Sequence, residues 1–178
     1  MQDVVFYAAV SRDGFLAGPD GDMSWAEKYL GGDEDYGYYS LVTSCSAMLM
    51  GRRTFDFEVA AIGEMERALP TYVLTNEPLR YDGFSAKDVH FVAGDVGMVL
   101  DLIQGQNPGR IFLVGGADVV AQAIAARRLT TIRLFECPDD LGAGTSLFGE
   151  GVSLSQFDQT ETRSYQSGLV ERVYRLNN

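Results

Sequence analysis

Ile111-Phe112-Leu113-Val114-Gly115-Gly116-Ala117-Asp118-Val119-Val120 is the stretch whose reading decides the fold. Four apolar residues rich in β-branched types read as a buried strand. Two glycines follow without a spacer, and then Val119, Val120 and Ile124, with alanines between them, recur at helical spacing. The order is strand, glycine turn, helix. So tight a turn leaves the first N–H groups of the helix bare, at the positive end of its dipole, where a phosphate or pyrophosphate is stabilised. Glycine lets such a ligand approach the backbone because no Cβ intervenes. A ligand-free corner between strand and helix accounts for an isolated Gly-Gly at least as well. The stretch is neither the dinucleotide fingerprint with three spaced glycines nor a Walker A loop, which needs Gly-Lys-Ser/Thr.

The surrounding chain narrows the choice. Its 178 residues suit one domain, 1–178, with a substantial core. A hydrophobic content of 46% with 22% charged residues is that of an ordinary soluble protein. No apolar run reaches transmembrane length, and Met1-Gln2-Asp3 lacks the basic flank of a signal peptide. Cys45 and Cys137 form no motif, so reduced thiols and a cytoplasmic location are expected. The net charge of −11 disfavours nucleic acid and anionic membranes as partners. The lone histidine, His90, lies in a strand pattern; it reads as structural, and no metal site is expected.

Outward from the central stretch, the same grammar repeats. Val4–Val10 is continuously apolar and reads as a strand buried on both faces, near the middle of a sheet. Ser11–Ser24 is a long loop dense in turn residues, of the kind that serves as a lid, and Trp25 closes it as an anchor or a substrate contact. Gly31-Gly32-Asp33-Glu34-Asp35 resembles a helix start, which places Asp35, Tyr38 or Tyr39, and Val42 on one face. If that face looks inward, partial burial raises the Asp35 pKa and suits it to proton transfer; otherwise the acids are solvated. Gly37 inside this helix weakens its first turn. Ala47–Met50 is a second buried strand running into Gly51-Arg52-Arg53-Thr54 and a helix to about Ala61. Two arginines and a hydroxyl there make either a second anion site or a surface pair.

Thr71–Asn76 and Val89–Val92 are further strands, and Val96–Ile103 is an amphipathic helix. The helix after Gly116 runs to about Arg127. Thr131–Cys137 alternates and is halted by Pro138. Leu141–Gly151, with Leu147-Phe148, is a glycine-rich loop, and Gln156–Tyr165 with Leu169–Leu176 closes the chain as a hairpin. Repeated crossovers imply an α/β fold: a mixed, mostly parallel central sheet flanked by helices, with a C-terminal antiparallel hairpin. Ligands of such sheets gather at the carboxyl ends of the strands. Met50/Gly51, Leu74/Thr75 and Val114/Gly115 are three such ends with phosphate-compatible chemistry. A dinucleotide spread across them is the economical explanation.

In this order the motifs resemble the dihydrofolate reductase superfamily, and within it the reductase part of the riboflavin-biosynthesis deaminase/reductase. They are Ala8-Ala9-Val10-Ser11-Arg12-Asp13-Gly14, Gly18-Pro19-Asp20-Gly21-Asp22-Met23-Ser24-Trp25, Met50-Gly51-Arg52-Arg53-Thr54, Val73-Leu74-Thr75-Asn76, Val114-Gly115-Gly116-Ala117 and the tail loop Gly142–Phe148. The resemblance covers nearly the whole chain. It implies an NADPH-dependent reductase of a small pterin-like or pyrimidine-like heterocycle, with a homodimer as its assembly. Arg52, Arg53 and Thr54 would then hold the pyrophosphate and 2′-phosphate, and Leu74, Thr75 and Asn76 the adenosine end. Gly115 and Gly116 would be the glycine pair, with Gly51, Val114, Ala117, Asp118 and Val119 around the same cradle. Ala9 and Ala17 would meet the nicotinamide amide. Trp25 and Tyr39 would flank the substrate, and Asp35, fifteen residues before Met50, would be the catalytic acid.

The chain also departs from that pattern. Phe6-Tyr7-Ala8-Ala9 stands where riboflavin reductases carry a lysine, and Arg12 where leucine is usual. Phe135-Glu136 occupies the region of the threonine that supports the acid in folate reductases. These departures leave the substrate open. They also admit the alternative of a non-catalytic nucleotide-binding or dimerisation module on the same fold.

Overall fold

The structure is a computed structural model that describes residues 3–30, 33–63, 67–147 and 153–177. Among the described residues there are ten strands: β1 Val4–Ser11, β2 Phe15–Ala17, β3 Cys45–Gly51, β4 Thr71–Leu74, β5 Val89–Val92, β6 Arg110–Gly115, β7 Thr131–Cys137, β8 Thr145–Ser146, β9 Phe157–Ser164 and β10 Val170–Leu176. Five α-helices join them: α1 Glu27–Leu30, α2 Tyr38–Ser44, α3 Arg52–Ile62, α4 Val96–Gln106 and α5 Ala117–Ala125. The main sheet has the order β5-β4-β3-β6-β1-β7-β10-β9. The first six strands pair in parallel and β10 and β9 are antiparallel additions.

Alternation along each strand builds two cores. Val4, Phe6 and Val10 of β1, with Ala47, Leu49, Ile111 and Leu113, pack beneath α4 and α5. Val5 and Tyr7, with Met48 and Phe112, face α2, while Met50 and Val73 receive Phe55 of α3. The central position of β1 between β6 and β7 explains its apolar run Val4–Val10: both faces are covered at its ends, and only Tyr7, Ala8 and Ala9 are half-buried. His90 stacks on Tyr72 with centroids 4.9 Å apart, a packing role.

Three local expectations need correction. The helix expected to start near Asp33 begins at Tyr38, because Gly37 takes a left-handed conformation (φ +77°) as its N-cap. The Gly31-Gly32 start itself lies outside the described residues. The long loop Ser11–Ser24 is partly ordered as β2, which pairs with β8 from the glycine-rich segment. That pairing joins residues far apart in sequence and has no periodic signal. Phe148 and residues 149–151 of the same segment lie outside the described residues. Thirdly, α5 stops at Ala125, short of Arg127, whose φ is +52°. Among the described residues no helix is long and apolar enough to cross a membrane, and no His/Cys/Asp/Glu cluster could hold a metal.

Candidate cofactor and substrate site

β3 and β6 are parallel neighbours, with Met50 opposite Gly115. Each runs directly into a helix, so two helix N-termini start side by side. Both are capped by glycine, Gly51 for α3 and Gly116 for α5, with no side-chain cap on either. Their first N–H groups therefore lack the usual hydroxyl or carboxylate acceptor. The fit is close: a Cβ on Gly51 would stand 2.8 Å from Val119 Cγ2, and one on Gly116 would stand 3.1 Å from Thr54 Oγ1. Gly115 and Gly116 are joined by a cis peptide, and Gly115 has φ +129°, a conformation that favours glycine. The cradle thus consists of Gly51, Thr54, Gly115, Gly116, Ala117 and Val119.

The two arginines are divided between carboxylates. Arg52 Nη1 contacts Asp56 Oδ2 at 3.1 Å within α3, and the other Asp56 oxygen accepts from the Tyr81 hydroxyl at 2.5 Å. Arg53 Nη1 lies 3.5 Å from Asp118 Oδ2, which links the first turns of α3 and α5. Both of those side chains are about four-fifths exposed, so water screens the pair. At the end of β4, Leu74 packs on the core, Thr75 is buried and Asn76 is exposed. The Thr75 amide donates to the Val92 carbonyl, and its hydroxyl oxygen accepts from the Glu77 amide at 3.1 Å.

Toward β1, continuing the pairing of Phe6 with Leu113 brings Gly115 level with Ala8. Ala9 lies on the face of Tyr7 and Phe135 and is paired with Phe135. Ala17 is buried at the end of β2. Val114 is half-buried against Met50 and Phe55. Trp25 packs against the cluster of Tyr36, Phe135, Cys137 and Leu169, and its indole Nε1 is the only buried side-chain N or O without a partner among the described residues.

Of the two alternatives for Asp35, the structure shows the solvated one, and its pKa is lowered. Its exposed carboxylate accepts from the Gly37 amide at 2.8 Å and the Tyr39 amide at 3.1 Å. Those two backbone donors, first Gly37 and then Tyr39, hold its pKa below the usual carboxylate range, with a smaller contribution from the charge of Arg133. Asp35 caps α2 from outside the helix and does not share a helical face with Val42. The sheet-facing residues of α2 are instead Tyr38, Leu41 and Val42. Tyr38 meets Tyr7 and Phe112 with centroids 5.8 and 6.1 Å away, whereas Tyr39 is 74% exposed. Glu136 pairs with Arg172 at 3.4 Å. Strand alternation turns it to the face opposite Phe135.

One group escaped sequence reasoning. Arg133 of β7 forms a 2.6 Å ion pair with the buried Glu171, lies over the rings of Tyr7 and Phe135 at 5.3 and 5.7 Å, and donates to the Tyr36 carbonyl at 3.4 Å. The Tyr165 hydroxyl donates to the second Glu171 oxygen at 2.9 Å. Burial, and then that hydrogen bond to Glu171, push the Tyr165 pKa up to about 12, and burial also raises that of Tyr7, whose hydroxyl donates to the Tyr36 carbonyl. Alternation in Thr131–Cys137 places Arg133 and Phe135 on one face, but only the β7–β10 register brings Glu171 to them.

Known proteins share this architecture. The protein is 25% identical to the uncharacterized protein YyaP of Bacillus subtilis over 98% of this chain and 95% of that one. A structure from Shewanella sp. PV-4 bearing a provisional riboflavin-biosynthesis name superposes with a TM-score of 0.85 at 21% identity, over 99% of this chain and all of that one. The diaminohydroxyphosphoribosylaminopyrimidine deaminase/5-amino-6-(5-phosphoribosylamino)uracil reductase of Thermotoga maritima gives 0.75 at 14% identity, over 99% of this chain and 57% of that one. Dihydrofolate reductase from Enterococcus faecalis, complexed with NADP(H), gives 0.68 at 16% identity, over 99% and 97%. The fold is accordingly dihydrofolate-reductase-like. The model of the RibD C-terminal domain matches residues 2–170, and the chain therefore belongs to the RibD C-terminal domain family.

Proposed function

We propose that this protein is an NADPH-dependent reductase of a small pterin-like or pyrimidine-like heterocycle. The observation that carries the reading is the pair of glycine-capped helix N-termini meeting across β3 and β6. A cradle that a single methyl would fill, lined by helix N-terminal amides without a side-chain cap and by one hydroxyl, suits a pyrophosphate. Thr54 and the first-turn amides of α3 and α5 would hold the pyrophosphate. Arg53, Arg52 and Thr75 would meet the 2′-phosphate, with Leu74 and Asn76 along the adenosine. Backbone groups of Ala9 and Ala17 would orient the nicotinamide amide. When bound, the cofactor supplies the hydride; the protein positions and shields it.

Around that end, the rings of Tyr7, Tyr38 and Trp25 would border a flat heterocycle, with the buried Phe135 packed against Tyr7. Asp35 stays ionised at neutral pH and secures the entry to α2, so the proton required after hydride addition is assigned to water. The same capped carboxylate favours a second reading: a nucleotide-binding module without turnover. The buried, unpaired thiols of Cys45 and Cys137 suit the reducing cytoplasm, and we take 1–178 as one domain that pairs as a homodimer. A fluorescence titration with NADPH, followed by absorbance screening of oxidised heterocycles, separates the readings. No NADPH binding up to about 1 mM, the upper end of usual enzyme affinities, overturns both. Binding without oxidation of NADPH by any heterocycle leaves the second.

A further inference from the structure

On the α2 face of the sheet, at the end of the strands opposite the cradle, lies a groove of about 380 Å³ between α2 and the β9–β10 hairpin. Its charged lining is Arg110, Arg133, Arg163, Arg175, Glu161 and Glu171. Four of the chain's 14 basic residues thus converge in a protein of net charge −11. We propose that this groove is a binding site for a small phosphate-bearing molecule, separate from the reductase site.

Two of the four guanidinium groups are committed. Arg133 is paired with Glu171, and Arg110 contacts Asp3 at 2.7 Å and the Ser44 hydroxyl at 3.0 Å. The other two are positioned without being neutralised. Arg163 lies over the Tyr165 ring at 4.7 Å, and Arg175 donates to the Thr131 hydroxyl at 3.2 Å. Among the described residues neither forms an ion pair. A guanidinium carries five N–H donors, so each retains a fork of free donors. Arg163 stands opposite Glu171 and Arg175 four residues along β10, roughly 13 Å away, so the two forks border the groove from its two ends, and guanidinium forks suit the several oxygens and double charge of a phosphate better than a carboxylate. Ser40 borders the groove, and Val5, Leu41 and Val173 give it an apolar floor for an organic body. Its volume falls within the range of small-molecule sites.

The groove and the cradle are distinct places. Val5 borders the groove and Ala9 the cofactor side, four residues apart along β1 and therefore roughly 13 Å. The stack of Arg133 on Tyr7 and Phe135 stands between them. Glu161 is the one carboxylate of the lining without an ion pair among the described residues, and it opposes an anion. This gives the proposal a signed test.

The experiment is a ³¹P NMR titration of the full chain with inorganic phosphate and, in parallel, glycerol 3-phosphate. The variants are Arg163→Ala, Arg175→Ala, Glu161→Gln and, on the cradle, Arg53→Ala. Loss of a charge-assisted contact lowers affinity about tenfold, so Arg163→Ala and Arg175→Ala each weaken binding by that factor. Glu161→Gln tightens it, a gain that misfolding cannot mimic, and Arg53→Ala removes only what phosphate the cradle holds, so the binding that persists in that variant is the groove's own. Tighter binding of glycerol 3-phosphate than of phosphate assigns a phosphate ester as the occupant; equal binding assigns the free ion. Three results overturn the proposal: no saturable binding, equal binding by all variants, or a loss confined to Arg53→Ala. A fourth is a dimer in sedimentation that Arg163→Ala dissociates while phosphate fails to bind, which makes the groove a surface between copies.

Discussion

Gly51→Ala adds one methyl group at the point where α3 leaves β3. Backbone strain does not enter, since Gly51 has φ −81° and ψ 156°, open to any residue. The obstacle is Val119 Cγ2, 2.8 Å from the new Cβ. Carbon atoms prefer about 3.5–4.0 Å, so the α5 N-terminus must retreat by about 0.7 Å or more. Val119 is buried and β-branched, and rotation about χ1 offers little relief. Overpacking of this kind costs about 1–3 kcal/mol, and restriction of the unfolded chain returns about 0.4–1 kcal/mol. The net loss is about 1–2 kcal/mol, or a fall in Tm of about 2–8 °C for a chain of this size. Because the two helix N-termini are pushed apart, NADPH affinity should fall about tenfold, the equivalent of one charge-assisted hydrogen bond. Thermal unfolding and NADPH fluorescence of wild type, Gly51→Ala, Val119→Ala and the double variant complete the cycle. The methyl at 51 should cost far less once Val119 is truncated. Additivity within about 0.5 kcal/mol, or undiminished NADPH binding by Gly51→Ala, refutes the reasoning.

Other consequences follow from the charges. Arg53→Ala should weaken NADPH more than NADH, and Asp118→Asn should tighten NADPH severalfold by removing the carboxylate 3.5 Å from Arg53; paired dissociation constants decide. Asp35→Asn should leave NADPH affinity unchanged and lower stability at neutral pH. The Asp35 pKa is depressed in the folded state, so its contribution is present above the unfolded pKa and lost as pH falls through the folded one. The two proteins should therefore converge in acid, and Tm against pH reads this out. Arg133→Met strands the buried Glu171 carboxylate and should cost about 3 kcal/mol, while Arg133→Met with Glu171→Leu should be more stable than the single variant; urea unfolding measures both.

Much of the scaffold is legible without coordinates because strand and helix periodicities are local properties. Val4–Val10, Ala47–Met50 and Ile111–Val114 are apolar in both parities, which only a strand covered on both faces tolerates. Gly51 and Gly116 mark the turns from strand to helix for the same local reason, since each begins its helix without a gap. The errors cluster where local signals conflict. Asp33-Glu34-Asp35 has the composition of a helix start, but Gly37 adopts φ +77° and delays the helix to Tyr38. Starting at Tyr38, five residues after Asp33, the helix directs Tyr38 toward the sheet and leaves Tyr39 in water, because neighbouring positions on a helix point about 100° apart.

The amino-acid order by itself determined the strands of the main sheet and the helices α3, α4 and α5, and that glycines join strand to helix twice without a spacer. Tertiary structure alone decided the pairings across the chain: β3 beside β6, which sets two helix N-termini against each other, and β7 beside β10, which delivers Glu171 to Arg133. It also decided the state of Asp35, whose pKa depends on the backbone amides that reach its carboxylate. The physical reason is one of range. Dihedral preference and hydrophobic period act over a few residues, whereas register, burial and electrostatic environment depend on groups that the chain brings together from far apart, 65 positions for Arg53 and Asp118 and 107 for Asp3 and Arg110.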